Sequence, residues 1–139
     1  MQIKLTTDYA IRIVVCLAET GRVTSSTEIA EAMHIPQKYL SKIIYDLKRA
    51  GIVAAHSGTR GGYSLAKPPK DISLFDIMDT TEGKMKISRC LEEDEACSRD
   101  AVRTCPMRRQ YVLLQAQMEV FLKSRTIDQF LSAAESPQG

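Results

Sequence analysis

Three cysteines in one polar stretch, Cys90, Cys97 and Cys105, carry the most reactive chemistry in this 139-residue chain. Six residues separate the first two and seven separate the second pair, so no C-x-x-C occurs. That argues against a zinc knuckle or a thioredoxin-type dithiol, whose cysteines lie closer together. Two uses stay open. Thiolates on a flexible loop are ligands for an iron-sulfur cluster, and a four-iron cluster needs a fourth donor, for which Asp8, Asp94, Glu95 or a small non-protein thiol are candidates. Alternatively, Arg89, Arg99 and Arg103 can depress thiol pKa values and make redox-sensing thiols, an effect that the acidic run from Glu92 to Glu95 opposes. Cys16, between Val15 and Leu17, reads as a small core hydrophobe.

A second group of residues suits a polyanion. Between Pro36 and Gly51 the apolar residues Leu40, Ile43, Ile44 and Leu47 make one helical stripe. Gln37, Lys38, Tyr39, Ser41 and Lys42 fall on the other faces, and no carboxylate joins them before Asp46. Lysine and glutamine reach phosphates and base edges in a major groove wide enough for one helix. Just upstream, Ser25 and Glu28 have capping-box spacing, and Ile29, Ala32 and Met33 keep helical period. His34, Ile35 and Pro36 then break it, because proline disfavours helix at the residue before it. Two short helices joined by a tight turn follow from this pattern. Residues 52–55 and 63–66 read as strands around a loop containing Gly58, Gly61 and Gly62, with Arg60 the one cation at the tip. Such a wing puts Arg60 and Gly61 within reach of a minor groove.

The remaining elements position these two groups. Residues 6–20 form a first helix with Thr6 or Thr7 at its cap and Tyr9, Ala10, Ile13, Val14, Leu17 and Ala18 on the buried face. Pro68 and Pro69 mark a connector, and Ser73 caps a helix that buries Leu74, Ile77 and Met78 and stops near Gly83. After Pro106, Met107, Tyr111, Leu114, Met118 and Phe121 recur at steps of four and three, a coiled-coil-like seam that needs a covering surface. A second copy of the chain is the natural cover, with folding back onto the winged domain as the alternative. Residues 126–134 form a short terminal helix, and 136–139 fray.

Charge is unevenly divided: residues 1–70 hold ten basic against five acidic side chains, residues 71–139 nine against twelve. The halves thus carry +5 and −3, a basic front suited to DNA and an acidic module behind it. Met1 to Thr20 is amphipathic with Asp8 and Arg12 inside it, so no secretory signal is expected, and no apolar run reaches membrane-spanning length. A cytoplasmic protein without membrane contact follows as the expectation, and there cysteines are thiols or metal ligands before they are disulfides. Neither a nucleophile-base pairing nor a phosphate-cradling glycine loop is present, so no enzyme is expected.

Asp8-Tyr9-Ala10-Ile11-Arg12, the helix from Ile35-Pro36-Gln37-Lys38-Tyr39-Leu40, the wing Gly61-Gly62-Tyr63-Ser64-Leu65 and the three-cysteine loop together resemble the Rrf-two family of winged-helix regulators, which includes IscR, NsrR, RirA and CymR. The resemblance covers nearly the whole chain. It implies a mainly α fold with a small β-hairpin wing, a winged helix-turn-helix plus a long C-terminal dimerisation helix. It divides the chain into a DNA-binding domain at 1–70, a connector helix and cysteine loop at 71–104, a dimerisation helix and short terminal helix at 105–135, and a tail at 136–139. By the same resemblance the molecule is a homodimeric bacterial transcription factor on a double-stranded operator. Cys90, Cys97 and Cys105 would hold an iron-sulfur cluster that senses redox, nitric oxide or iron status. IscR-like members carry a histidine three residues after the last cysteine, where this chain has Arg108. NsrR-like members use an aspartate near the start of the first helix, contributed by the other subunit, and Asp8 matches that place. Asp8 also has a local role, since an acid in the first turn favours the helix dipole. The alternatives are a thiol switch without a cluster and a CymR-like regulator acting through a protein partner.

Overall fold

A computed structural model describes residues 2–133. Six helices and one hairpin follow in order: α1 Leu5–Thr20, α2 Ser26–Met33, α3 Gln37–Arg49, β1 Val53–His56, β2 Gly62–Leu65, α4 Leu74–Glu82, α5 Pro106–Ser124 and α6 Ile127–Ala133. This is the mainly helical winged architecture expected from the sequence. Residues 136–139, expected to fray, lie outside the described residues, as does the last residue expected for α6.

One hydrophobic cluster joins most of these elements. Ile13, Val14 and Leu17 of α1 meet Ile29 of α2, and Leu40, Ile43, Ile44 and Leu47 of α3. Ile72, Ile77 and Ile127, from beyond the wing, belong to the same cluster. Ile127, with none of its surface exposed, contributes on the order of 1.5–3 kcal/mol by burial alone. Two short backbone links seat this second half. The Ile127 N–H donates to Ile72 O at 3.0 Å, and the Leu74 N–H to Arg125 O at 2.8 Å.

Helix ends follow local chemistry with two departures from expectation. Ser25 accepts from the Glu28 N–H, but the Glu28 carboxylate does not return to Ser25; it pairs with Arg22 at 2.6 Å. A bidentate cation outcompetes a single backbone N–H, so the capping box is half made. Ser73 and Asp76 complete both bonds of theirs. At α1 neither Thr6 nor Thr7 caps. Lys4 is the cap residue without a side-chain bond, and Thr7 is fully buried, its hydroxyl donating to Glu82 Oε1 at 2.5 Å and lying 2.7 Å from Thr81 Oγ1. The Lys4 N–H donates to the same Glu82 oxygen at 2.8 Å, so the end of α4 caps the start of α1. In α2 Ile29 and Ala30 are buried, whereas Ala32, which shares the helical period with Ile29 and Met33, is exposed.

The long helix α5 divides the expected seam. Leu122 and Gln115 are buried and Tyr111 and Met118 half-buried against the body, whereas Met107, Leu114 and Phe121 are more than half exposed. Gln115 explains the division. Its Nε2 donates to Met85 O at 2.8 Å and its Oε1 accepts from the Ile87 N–H at 3.0 Å, so a polar residue on α5 stitches down the segment leading into the cysteine loop. Val112, Leu113 and Val120 join the outward face. No described helix is long and apolar enough to cross a membrane.

Candidate nucleic-acid interface and cysteine loop

Helix α3 is anchored by one face and offers the rest. Leu40 and Leu47 are fully buried and Ile43 and Ile44 nearly so, which fixes the helix about its axis. Gln37, Lys38, Tyr39, Ser41 and Lys42 are all exposed. Pro36 is the cap residue and Gln37 the first helical one, so three of these five side chains lie in the opening turn. No acid stands in that turn, and Lys48 and Arg49 close the helix where cations suit the dipole. Lys42 Nζ is held by Asp46 at 2.8 Å, one turn on. Lys38 Nζ lies 4.9 Å from the Tyr39 ring centre, and Tyr39 in turn sits 6.1 Å from Tyr9 of α1. These contacts aim the tyrosines without using up their hydroxyls.

Asp8 and Arg12 brace the helix pair from behind. Asp8 Oδ2 pairs with Arg12 at 2.7 Å, Arg12 donates to Met33 O at 3.1 Å, and its guanidinium covers the Tyr9 ring at 5.4 Å. Asp8 thereby fixes the arginine that holds the end of α2.

The wing is tied to the helix pair by backbone. Val53 faces Leu65 and His56 faces Gly62 across the hairpin, and Thr24 adds a third short rung, exchanging two N–H···O bonds of 2.8 Å with Tyr63. At the tip Arg60 is exposed and makes no ion pair among the described residues. The Gly61 N–H donates to Gly58 O at 3.0 Å, and a Cβ on Gly61 would stand 2.5 Å from His56 O, so glycine lets the tip turn that tightly. Arg60 and Gly61 thus project from a wing whose root is shared with α2.

The cysteine loop crosses from α4 to α5. Cys90, Cys97 and Cys105 are free thiols, each half-buried. Cys90 Sγ lies 3.3 Å from Ser88 Oγ, and Cys97 Sγ accepts from the Ala101 N–H at 3.5 Å. That bond, with help from the Arg99 N–H, holds the Cys97 thiol below its usual pKa despite partial desolvation. Cys105 caps α5. Cys16, by contrast, is buried on α1, and desolvation pushes its thiol up. Arg108 organises the loop: it donates to Cys90 O at 3.3 Å and pairs with Glu95 at 3.2 Å. As a donor set, three soft thiols around backbone N–H groups fit an iron-sulfur cluster. Among the described residues, however, no three Cys, His, Asp or Glu side chains converge closely enough to hold a metal ion. Asp94 is paired with Arg89 at 2.5 Å and Glu95 with Arg108.

Sequence reasoning missed Gln115, Glu82 and Thr24. A glutamine within an apolar helix was a usable signal for the first; the other two act across gaps of chain that no local pattern marks.

Comparison with known proteins agrees with this geometry. The Rrf2 family model, described as an iron-dependent transcriptional regulator, matches residues 3–133. A protein of Aquifex aeolicus (strain VF5), named among HTH-type transcriptional regulators, is 32% identical over 94% of this chain and 91% of its own. The protein aau3 of Rhizobium meliloti (strain 1021) is 30% identical over 99% and 95%. Among solved structures, IscR of T. potens superposes with a TM-score of 0.77 at 25% identity, covering 100% of this chain and 94% of that one. CymR of B. subtilis, described as its global cysteine regulator, gives 0.72 at 26%, covering 96% and 98%. The fold is therefore shared along nearly the whole length, and the chain belongs to the Rrf2 family of transcriptional regulators, which are not enzymes.

Proposed function

We propose that this chain acts in the cytoplasm as a homodimeric repressor or activator on operator DNA, with Cys90, Cys97 and Cys105 holding an iron-sulfur cluster that tunes its affinity. The single observation that carries the DNA reading is the exposed, acid-poor opening turn of α3 beside a wing with an unpaired arginine. In this reading Gln37, Lys38, Tyr39, Ser41 and Lys42 enter the major groove, and Arg60, with the Gly61 backbone, approaches the adjacent minor groove. Lys42 would exchange Asp46 for a phosphate.

Pairing is supported by the outward face of α5, where six large apolar side chains are exposed: Met107, Val112, Leu113, Leu114, Val120 and Phe121. A face of that kind calls for a partner surface, and a second copy would present two α3 helices about one DNA turn, roughly 34 Å, apart. The chain then divides functionally into a reading domain at 1–70, the loop-bearing connector at 71–104 and the pairing segment at 105–135.

When bound, the cluster supplies redox-active, sulfur-ligated iron. The chain's own contribution is to hold it and relay its state. Gln115 fastens Met85 and Ile87 to the pairing helix, and Glu82 fastens the end of α4 to the start of α1, so a shift of the loop bears on both. Such coupling is reciprocal, and DNA would alter cluster affinity in turn. Asp8 enters as a fourth ligand only by leaving Arg12. A second reading, a thiol switch without iron, is supported by the Ala101 N–H donated to Cys97 Sγ at 3.5 Å, a contact that favours the reactive thiolate. A visible spectrum of anaerobically reconstituted protein separates the two. Broad absorption that is lost in Cys90→Ser, Cys97→Ser and Cys105→Ser supports the cluster, and a colourless protein removes it.

A further inference from the structure

We propose that the hollow at the start of α5 binds a small organic polyanion. This hollow, of about 680 Å³, is lined by Arg103, Arg108 and Arg109, with Glu95 as the one acidic residue on its lining. Glu95 is already spent on Arg108 at 3.2 Å. Arg103 and Arg109 have no carboxylate partner among the described residues, although this half of the chain is acid-rich. Of the other cations in the loop, Lys84 pairs with Glu93, Lys86 with Glu119, and Arg89 with Glu92 and Asp94, while Arg99, outside the hollow, has no ion pair among the described residues.

The helix beginning there adds a second, independent feature. α5 opens on Cys105 with no side-chain cap, has Pro106 at its first position and carries no acid in its first turn. Helix starts bear partial positive charge and usually attract an acid. Here Arg108 and Arg109 stack further positive charge on that end, an arrangement that destabilises the free helix and is relieved by an anion. Val102, Val112 and Leu113 supply an apolar wall, which a bare inorganic ion would not use. The volume suits a metabolite-sized ligand. The class indicated is a compact organic acid with two or more negative groups, either carboxylates or phosphate esters, since both accept the planar fork of arginine. Cys105, one of the three proposed cluster ligands, also lines the hollow, so the anion would sit beside the cluster. Because Val112 and Leu113 also lie on the face proposed to pair, occupancy would be felt at the pairing helix.

Isothermal titration calorimetry of the full chain in its solution oligomeric state tests this, with citrate in one arm and fructose 1,6-bisphosphate in the other at constant ionic strength. Saturable binding of one molecule per chain in either arm is expected, and the stronger arm identifies the anion class. Arg103→Gln and Arg109→Gln should each weaken it about tenfold, the loss of one charge-assisted bond. Arg99→Gln, outside the hollow, should leave it unchanged. Absence of saturable binding in both arms, or equal weakening by Arg99→Gln, overturns the proposal, and either result leaves the DNA and cluster readings standing.

Discussion

Substituting Gly62 by alanine should damage this molecule far more than its single methyl suggests. The new Cβ would stand 2.4 Å from Thr24 O and 2.6 Å from its carbonyl carbon, both backbone atoms that cannot swing aside. Such contacts rest at about 3.5 Å, so the wing and the Thr24 segment must part by about 1 Å. The two Thr24–Tyr63 bonds, at 2.8 Å, cannot survive that separation. Losing both costs about 1 kcal/mol each and the crowding about 1–3 kcal/mol more, in all about 4 kcal/mol. A domain of this size has only about 5–15 kcal/mol to lose. Urea unfolding followed by circular dichroism reads the effect as a midpoint lowered by about 2 M. Gly58→Ala is the control, because Gly58 has φ +101 but open space around it, leaving only backbone strain of about 1–2 kcal/mol. If Gly62→Ala lowers the midpoint no more than Gly58→Ala, the wing is not seated on Thr24 as described.

Other outcomes follow from single contacts. Hydrogen bonds from Thr7 and the Lys4 N–H, helped by the Lys4 charge, outweigh desolvation and hold the Glu82 carboxyl below its usual pKa. Its contribution is therefore complete above the unfolded carboxyl pKa, about 4.3, and is lost as pH falls through the lower folded value. Glu82→Gln should cost about 1.5–3 kcal/mol at pH 7 and flatten the acid limb of stability, measured by urea midpoints across pH; an unchanged limb would contradict the link. Asp46→Asn releases Lys42 and removes a charge facing phosphate, worth about 1 kcal/mol, so DNA affinity by fluorescence anisotropy at low salt should rise about fivefold, and a fall would show that Asp46 positions Lys42 usefully. Val120→Glu, at a position 69% exposed, should leave the single-chain fold intact yet halve the mass seen in sedimentation; an unaltered mass would place pairing elsewhere.

Much of α3 and its flanking helices was legible because it depends on local periodicity. The stripe Leu40, Ile43, Ile44 and Leu47 is buried as its spacing demands, and Ser73 caps α4 with Asp76 as its type and place require. What escaped was competition and long-range contact. Arg22 draws Glu28 out of its box, Thr7 leaves the cap for Glu82, and Gln115 turns half of an apolar seam inward. Each outcome is set by a group distant in the chain or by a stronger charge nearby, neither of which a helical period records. The three cysteines stand out as a candidate donor set from residue type alone. Their arrangement does not, since a loop with little hydrophobic pattern takes its course from pairs such as Arg108 with Cys90 O and Glu95.

The central claim is that α3 and the wing read DNA, and the salt dependence of binding tests it most directly. Binding of genomic operator fragments should weaken linearly on a log-log plot against salt, and Lys42→Ala and Arg60→Ala should each weaken binding and reduce that slope by about 1, as each removes one cation that displaces a counterion from the duplex. Slopes and affinities identical to the unsubstituted protein in both variants would contradict the account.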